Sequence, residues 1–203
     1  IRLFRALKPR IGLDCGAQGS VPENRCFYLV TRIALLLTVT LIIIQSHACA
    51  LTFTDSGQSL GADDTKQIFP ADIDGDGDLD LIAAIESGPS KVYSNDGSGT
   101  FSDTAQALGA GDTQSVFPVD IDCDGDLDFI AGNGSNSTVA DRIYLNNGSG
   151  TFSDSGQTLA VDKTHHTLAV DVDLDGDMDY IAGIYLGGNQ VWINDGSGTF
   201  TDT

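Results

Sequence analysis

Residues 72–80 read Asp-Ile-Asp-Gly-Asp-Gly-Asp-Leu-Asp, an acidic loop with five carboxylates at alternating positions. The pattern D-x-D-x-D-G-D-x-D recurs at 120–128 and at 171–179, so successive loops start 48 and 51 residues apart. Self-similarity at a period of this length is typical of repeat architectures in which each repeat is one supersecondary unit. The sequence therefore predicts a protein built from three related units.

The segment after each acidic loop carries two further landmarks, an Asn-Asp-Gly or Asn-Asn-Gly turn and a Gly-Thr-Phe sequence. The turn predicts a tight hairpin whose two central residues have positive φ. Four strands per repeat with a period near 50 predict β-propeller blades. In the first repeat the predicted strands lie at 67–73, 79–85, 91–95 and 99–103.

The second predicted strand of each repeat is apolar almost without alternation, as at 81–85. Such a strand is buried on both faces, which a blade between two neighbouring blades requires. Pro70 and Pro118 lie in strand one, where proline is tolerated only if that strand is a sheet edge. The fourth strand alternates polar and apolar residues, as expected of an outer edge. We expect an all-β fold of four-stranded antiparallel blades.

The repeats, at about 54–103, 104–154 and 155–203, are fewer than the four to eight blades of a closed propeller. The expected architecture is therefore an incomplete ring. Residues 51–55 contain a partial fourth copy of the Gly-Thr-Phe segment, which we interpret as a closing strand for a ring with further C-terminal blades. The alternative is a ring assembled from several chains.

The acidic loops are candidate metal sites. Carboxylates at positions 1, 3, 5 and 9 can converge if the chain bends at the glycine of position 6, while position 7 offers its backbone carbonyl. Oxygen donors of this kind select calcium, and an EF-hand is excluded because position 12 is Ala instead of Glu. A solvated acidic turn is disfavoured, because two carboxylates about 4 Å apart repel by roughly 4 kcal/mol at an effective dielectric of about 20. The residues predicted to form about three Ca²⁺ sites are Asp72, Asp74, Asp76, Asp78, Asp80, Asp120, Asp122, Asp124, Asp126, Asp128, Asp171, Asp173, Asp175, Asp177 and Asp179.

The acidic loops, the apolar strand after each loop and the Asn-Asp/Asn-Gly-Ser-Gly-Thr-Phe segments together resemble FG-GAP/VCBS repeats, which occur in integrin-like propellers and many bacterial exported proteins. The resemblance covers residues 51–203. It implies a calcium-binding propeller. The Phe-Gly and Gly-Ala-Pro signatures of the family are altered, since Gly61-Ala62 is not followed by proline. The positions that match the family's side-chain ligands are Asp72, Asp74, Asp76 and Asp80, with their counterparts in the later repeats.

Charge is distributed unevenly along the chain. Residues 1–50 carry six basic and two acidic residues, whereas 51–203 carry four basic and 27 acidic ones, and the formal net charge of the whole is −19. An acidic body of this kind repels phosphate, which argues against nucleic acid as a partner. It equally argues against docking on anionic lipid.

The first 50 residues resemble a targeting segment more than a domain. Residues 25–50 combine arginines, an apolar run at 33–44 and an Ala-Cys-Ala site, which together predict a signal peptide. An uncleaved signal anchor is the alternative and would be the only membrane contact. Residues 1–24 are unassigned. We expect a secreted or cell-surface protein, and Cys123, the single cysteine of the body, cannot supply a disulfide framework.

The sequence offers few catalytic candidates. His165 and His166 are adjacent, so on a strand they face opposite ways, and Cys123 occupies a variable loop position. Metal ligation accounts for the regular carboxylates better than paired-carboxylate glycoside hydrolysis does. We therefore expect no enzyme but a binding or adhesion module whose partner is an extracellular protein or glycan, read by loops 86–90, 133–141 and 185–189. The alternative is an accessory propeller of a larger secreted carbohydrate-active enzyme.

Overall fold

Twelve short strands in three antiparallel sheets make up the part of the chain that the computed structural model describes, residues 52–134 and 139–203. Sheet one contains β1 (Thr65–Ala71), β2 (Asp80–Ile85), β3 (Lys91–Asn95) and β4 (Phe101–Asp103). Sheet two contains β5 (Thr113–Val119), β6 (Asp128–Asn133), β7 (Arg142–Asn146) and β8 (Phe152–Asp154). Sheet three contains β9 (Thr164–Val170), β10 (Asp179–Ile184), β11 (Gln190–Asn194) and β12 (Phe200–Asp202).

Within each sheet every strand pairs with the next one along the chain, so the first and fourth strands are the edges. Pro70 and Pro118 accordingly lie in the edge strands β1 and β5, opposite Leu81 and Phe129. The all-β fold of four-stranded antiparallel blades is confirmed, and three such blades form an incomplete propeller. The first strand of each blade also shifts register by one residue at the same place.

The predicted bounds of two strands need correction. Strand one of the first blade covers Thr65–Ala71 instead of 67–73, because the Ile73 N–H is donated to Oδ2 of Asp80 (3.2 Å) and not to a neighbouring strand. Strand two begins at Asp80, one residue later than predicted, and strand three matches residues 91–95. The acidic loop therefore starts at Asp72, directly after strand one, and does not share two residues with that strand.

The hairpin between strands three and four is also longer than predicted. Asn95 pairs with Phe101, which leaves a five-residue loop, and the residues with positive φ are Gly97 (75°) and Gly99 (82°). Asp96 is not among them, because its Oδ1 instead accepts hydrogen bonds from the backbone of residues 98 and 100. The strand predicted at 99–103 consequently begins at Phe101.

The core lies between the sheets, not within any one of them. β6, in the middle blade, is buried at every position, so the second strand of that blade is covered on both faces, whereas β2 and β10 keep partly exposed residues. One apolar cluster joins sheets one and two, and a second cluster joins sheets two and three. A third, smaller cluster on the outer side of sheet one is covered by the chain around Leu60.

The predicted leader, 1–24, and the predicted signal peptide, 25–50, lie outside the described residues. Residues 52–55 form no strand, and Phe53 is 89% exposed, so their role in closing a ring stays a prediction. Within the residues that are described, no helix is long and apolar enough to cross a membrane. Residues 55–203 form one compact unit.

Candidate metal centres

Each acidic loop brings three of its five carboxylates together. Positions 1 and 3 of the loop and position 9, the first residue of strand two, place one oxygen each within 4.8 Å of one another. The position-9 carboxylates are almost fully buried, at 1% exposure or less, whereas the other two are partly buried or exposed. The three triads are Asp72, Asp74 and Asp80; Asp120, Asp122 and Asp128; and Asp171, Asp173 and Asp179.

The position-9 carboxylate is held by the backbone on both sides. Oδ2 of Asp80 accepts the Ile73 N–H (3.2 Å), and Oδ1 accepts the Asn95 N–H (2.7 Å). Asp128 and Asp179 accept the equivalent pairs of hydrogen bonds in the later blades. One buried side chain therefore fixes the start of the loop, the start of strand two and the end of strand three relative to one another.

The curl of the loop comes from position 1 and the glycine at position 6. Oδ2 of Asp72 accepts the N–H of Gly77 (3.1 Å), whose φ of 95° is accessible to glycine and disfavoured for other residues. Position 4 also has positive φ, at 74° for Gly75, 61° for Cys123 and 64° for Leu174. A left-handed conformation costs a residue other than glycine roughly 1–2 kcal/mol, so Cys123 and Leu174 carry local strain at this variable position.

The remaining six predicted ligands lie outside the triads. Oδ1 of Asp76 accepts the backbone N–H of Asp78 (2.9 Å), and its counterparts do the same. The side chain of Asp78 points at Gly97 in the hairpin turn of its own blade, where a side chain would not fit. The structure thus places the position-7 carboxylates away from the triads. The residues that do not converge are Asp76, Asp78, Asp124, Asp126, Asp175 and Asp177.

The electrostatics of the triads favour a cation. Burial raises the pKa of Asp74, and its acidic neighbours raise it further. Burial likewise raises the pKa of Asp128 to about 6, even though two backbone N–H groups oppose that shift. Among the described residues, the ion pairs of Lys66, Lys91 and Arg142 all go to acids outside the triads. No basic side chain therefore neutralises these carboxylates in the described part of the chain.

One unpartnered oxygen tests whether the loops fit a metal ion. Oδ1 of Asp120 is buried and accepts no hydrogen bond from the described residues. A buried carboxylate oxygen without a partner is costly, and a bound cation would remove that cost. Because all three donors of a triad are carboxylate oxygens, the site suits a hard divalent ion.

Three glutamines form a recurrent contact that the sequence analysis missed. In the second blade the Gln106 side chain donates from Nε2 to the Gly150 carbonyl (2.8 Å) and accepts at Oε1 from the Phe152 N–H (2.8 Å). Gln58 and Gln157 make the same pair of bonds in the other blades. Their spacings of 48 and 51 residues equal those of the acidic loops, so the repeat period alone marks them.

A buried polar network in blade two was also missed, because Asp141 lies in a variable loop and not in a repeat motif. Asp141 is fully buried, and its Oδ2 accepts from the hydroxyls of Thr164 (2.8 Å) and Tyr180 (2.5 Å) in blade three. Its Oδ1 accepts the Asn133 N–H (2.7 Å). Burial outweighs these donors and raises the pKa of Asp141 to about 6.

The histidines and the aromatic side chains near the variable loops are not part of any triad. His165 stacks on Tyr185, with ring centroids 4.7 Å apart, while His166 is exposed. Trp192 is partly buried against the second apolar cluster, and Tyr185 is 50% exposed. Residues 135–138 of the variable loop at 133–141 lie outside the described part of the chain.

Comparison with known proteins gives one family match. A family model described as an FG-GAP-like repeat matches residues 72–131 and 120–182, which together cover more than half of the chain. No curated protein matches the sequence. Among solved structures, a lectin from Agrocybe aegerita, described as specifically recognising non-reducing terminal N-acetylglucosamine, is 28% identical with a TM-score of 0.44. The similarity covers 66% of this chain and 36% of that lectin.

Proposed function

The chain belongs to the FG-GAP-like repeat family, and from this premise we propose that it is an exported calcium-binding module whose calcium is structural and whose role is binding or adhesion. The observation that carries the proposal is the recurrence of one carboxylate triad at the same place in all three blades. The buried, unpartnered Oδ1 of Asp120 supports it, because a bound cation would supply the partner that this oxygen lacks among the described residues.

Calcium is favoured over softer metals by the all-oxygen donor set. Extracellular calcium sites commonly have dissociation constants of about 10⁻⁴–10⁻³ M, which suits an exported protein. Since a metal that binds only the folded state stabilises it by mass action, a concentration ten times the dissociation constant would contribute about 1.4 kcal/mol per site. Three such sites would offset part of the repulsion among the 27 acidic residues of 51–203 and so stabilise the stacked sheets.

The binding role is assigned to the connections that differ among blades. In the loop at 185–189, Tyr185 is 50% exposed and Leu186 is 90% exposed, so this loop offers apolar surface to a partner. An aromatic ring of this kind can stack on a sugar or pack on a protein surface. The proposed partner is an extracellular protein or a glycan, and the chain is assigned no catalytic role.

The second candidate function is an accessory propeller of a larger secreted carbohydrate-active enzyme. Family membership and triads are equally compatible with this role, because metal-braced blades can support a neighbouring domain as well as a ligand. The coding sequence next to this chain distinguishes the two. A contiguous catalytic domain would favour the accessory role, whereas sorting or adhesion domains would favour the binding module.

Isothermal titration with calcium tests the metal assignment directly. The full chain, first stripped with chelator, is expected to bind about three ions, and Asp74→Asn is expected to lose one of them. Asp78→Asn is the matched control, because this side chain points at Gly97 and not into the triad, so three ions should still bind. Equal stoichiometry for Asp74→Asn and the control, or no binding by the unmodified chain, would refute the proposal.

A glycan array probed in calcium-containing buffer tests the binding role. If the 185–189 loop contacts a sugar, Tyr185→Ala should weaken binding at least tenfold. Leu174→Ala, which removes a side chain that is 86% exposed in an acidic loop, is the control and should bind normally. Equal loss of signal in both variants would show that glycan binding does not depend on the 185–189 loop. No signal with the unmodified chain would exclude the glycans tested as partners.

A further inference from the structure

The sequence contains two Asn-Gly pairs, both in blade two and both followed by serine. One is Asn133-Gly134 at the end of β6, and the other is Asn147-Gly148 in the hairpin turn between β7 and β8. Glycine has no side chain to shield the preceding asparagine, so its backbone nitrogen can approach the amide carbon Cγ. Attack at that carbon forms a cyclic imide and releases ammonia. The surroundings of each pair therefore decide whether it can react.

Hydrogen bonds hold both residues of the first pair. Asn133 is only 4% exposed, its Nδ2 donates to the Ala140 carbonyl (2.6 Å), and its Oδ1 accepts from the Thr113 hydroxyl (3.0 Å). The Gly134 N–H, which would have to attack, donates instead to the Asp112 carbonyl (3.0 Å). Since all the reacting groups are engaged, this pair can react only after local unfolding.

The reacting groups of the second pair are free. Asn147 is exposed, and neither its Nδ2 nor the Gly148 N–H has a hydrogen-bond partner among the described residues. The fold also requires glycine after Asn147, because φ of Gly148 is 76° and a methyl group there would lie 2.5 Å from Oδ2 of Asp126. The nucleophile therefore gives up no bond, and the leaving group departs directly into solvent.

The residue before the second pair explains why the Gly148 N–H is free. In blade three, Oδ1 of Asn194 accepts the N–H of Gly196 (3.2 Å), the glycine at the position of Gly148. In blade two, Oδ1 of the equivalent Asn146 is buried and accepts no hydrogen bond from the described residues. The bond that engages the turn glycine in blade three is therefore missing in blade two.

The amide oxygen of Asn147 lies among three hydrogen-bond donors. Its Oδ1 accepts from the Ser149 N–H (3.1 Å), the Ser149 hydroxyl (2.7 Å) and the Thr151 N–H (3.4 Å). When a nucleophile adds to the amide carbon, negative charge develops on this oxygen, and donors already aimed at it stabilise that charge. The turn therefore activates the Asn147 amide for attack.

The same donors favour a carboxylate at this position. Blades one and three have Asp96 and Asp195 where blade two has Asn147, and each aspartate accepts the same three hydrogen bonds from a serine and a threonine. The serine hydroxyls, followed by the backbone N–H groups, lower the pKa of both aspartates. The turn thus stabilises a carboxylate better than the amide that blade two carries.

We propose that Asn147 is a site of spontaneous deamidation, which converts the turn of blade two to the aspartate turn of blades one and three. The Gly148 nitrogen bonds to Cγ of Asn147, and Nδ2 leaves as ammonia with the proton that the nitrogen loses. Water then adds to a carbonyl of the cyclic imide and breaks one of its C–N bonds. Opening at Cγ gives aspartate, and opening at the backbone carbonyl gives isoaspartate. Water is the only co-reactant.

The position of the turn gives the modification a structural consequence. A methyl group on Gly150 of this turn would lie 3.4 Å from Cβ of Asp74, so the turn packs on the acidic loop of blade one, and deamidation adds a negative charge beside that contact. Isoaspartate would lengthen the backbone and disturb the bond from the Asn147 N–H to the Thr151 carbonyl (3.2 Å). We therefore expect the folded chain to give a higher ratio of aspartate to isoaspartate than the unfolded chain.

Incubation of the full chain at mildly alkaline pH, followed by peptide mapping with mass spectrometry, tests the proposal. In the folded chain Asn147 should react at least about tenfold faster than Asn133, because only Asn133 depends on local opening. In concentrated urea the two rates should agree within about twofold, since unfolding exposes both Asn-Gly-Ser sequences equally. Asn147→Gln should remove the faster reaction and leave Asn133 unchanged, and Asn147→Asp supplies the product standard.

Two further variants transfer the reaction to the other turns. Asp96→Asn creates the same Asn-Gly-Ser sequence, and the Gly97 N–H has no partner among the described residues, so residue 96 should react at a rate close to that of the natural site. Asp195→Asn is the matched comparison. It should react several times more slowly, because the Gly196 N–H donates to Oδ1 of Asn194.

Two results would overturn the proposal. The first is a folded chain in which Asn147 and Asn133 react at equal rates, which would mean that the turn does not select its asparagine. The second concerns Ser149→Ala, which removes the hydroxyl donor and should slow the reaction about fivefold. A faster reaction in this variant, with circular dichroism showing that it is folded, would mean that the turn protects Asn147. Because mass and not metal binding is measured, the outcome is independent of the calcium assignment.

Discussion

Blade two and blade three share the same repeat, yet their apolar residues are buried to different degrees. β6 of blade two is buried at all six positions, and Ile121 beside it is fully buried, whereas Val172 at the same position of blade three is 42% exposed. The residue type hardly differs, so the neighbouring sheet decides the burial. The stability of a blade is therefore the sum of the strand pairing within its sheet and the interfaces on the two faces of that sheet.

The largest expected effect comes from shortening one core side chain at equivalent positions of blades two and three. Ile130→Ala in blade two removes a fully buried side chain, and such a change costs about 2–5 kcal/mol. Ile181→Ala at the equivalent position of blade three should cost less than half as much, because that side chain is partly exposed and leaves no closed cavity. Urea unfolding of the two variants, followed by circular dichroism, measures both losses in free energy; equal losses would contradict the comparison.

The next effect concerns the hydrogen bond that Nδ2 of Asn194 in blade three donates to the Ile121 carbonyl of blade two (2.8 Å), which we call the interblade latch. Asn194→Ala leaves the Ile121 carbonyl without its donor, and a buried unsatisfied group of this kind costs about 1–3 kcal/mol. Asn95→Ala removes a donor that serves only its own blade among the described residues, so the expected cost is about 1 kcal/mol. The difference between the two free energies of unfolding is the measurement. A larger loss for Asn95→Ala would show that the latch contributes nothing.

The network at Asp141 predicts a pH dependence of the interface between blades two and three. Because burial raises the pKa of Asp141 to about 6 in the folded state, the folded state binds a proton more readily than the unfolded state does. Its contribution to stability is therefore greatest at low pH and is lost as pH rises through about 6. Between pH 7 and pH 5 the unmodified chain should gain about 1 kcal/mol more than Asp141→Asn does.

Saturating calcium keeps the triads ionised during this comparison, so that the titration of Asp128 does not contribute to the difference. Urea unfolding at both pH values gives the free energies. An equal pH dependence in Asp141→Asn would mean that the buried network does not titrate in this window.

The smallest expected effect concerns the recurrent glutamines. Gln106→Ala, at a partly buried position next to blade two, should cost about 1 kcal/mol, since it removes two hydrogen bonds to the Gly150–Phe152 turn. Gln58→Ala, with the same bonds at an exposed position, should cost about 0.5 kcal/mol. Thermal melting of the two variants ranks them. A larger shift for Gln58→Ala would contradict the view that burial by a neighbour strengthens these contacts.

The sequence predicts much of the fold because each blade repeats local signals. The Asp loops, the apolar second strand and the hairpin turns recur at one period, and proline in strands β1 and β5 identifies the inner edge. The convergence of Asp72, Asp74 and Asp80 follows from a pattern that alternates and then bends at glycine. These features depend on residues close together in the chain.

What the sequence does not predict depends on contacts between blades or on backbone detail. Asp141 meets Tyr180 across an interface, 39 residues away in the chain, and no local pattern marks it. The five-residue hairpin loop depends on hydrogen bonds to Asp96 that two-residue turn rules do not include. The positive φ of Leu174 is visible only by comparison with Gly75 in another repeat.

Thermal melting with saturating calcium and with chelator tests most directly whether cations hold these acidic loops and thereby the stacked sheets. With about 1 kcal/mol from each of three sites, the calcium-loaded chain should melt about 6–12 °C higher than the chelated chain. Asp74→Asn should lose part of that difference, and Asp78→Asn should keep it. Identical melting curves for the unmodified chain with and without metal would contradict the account.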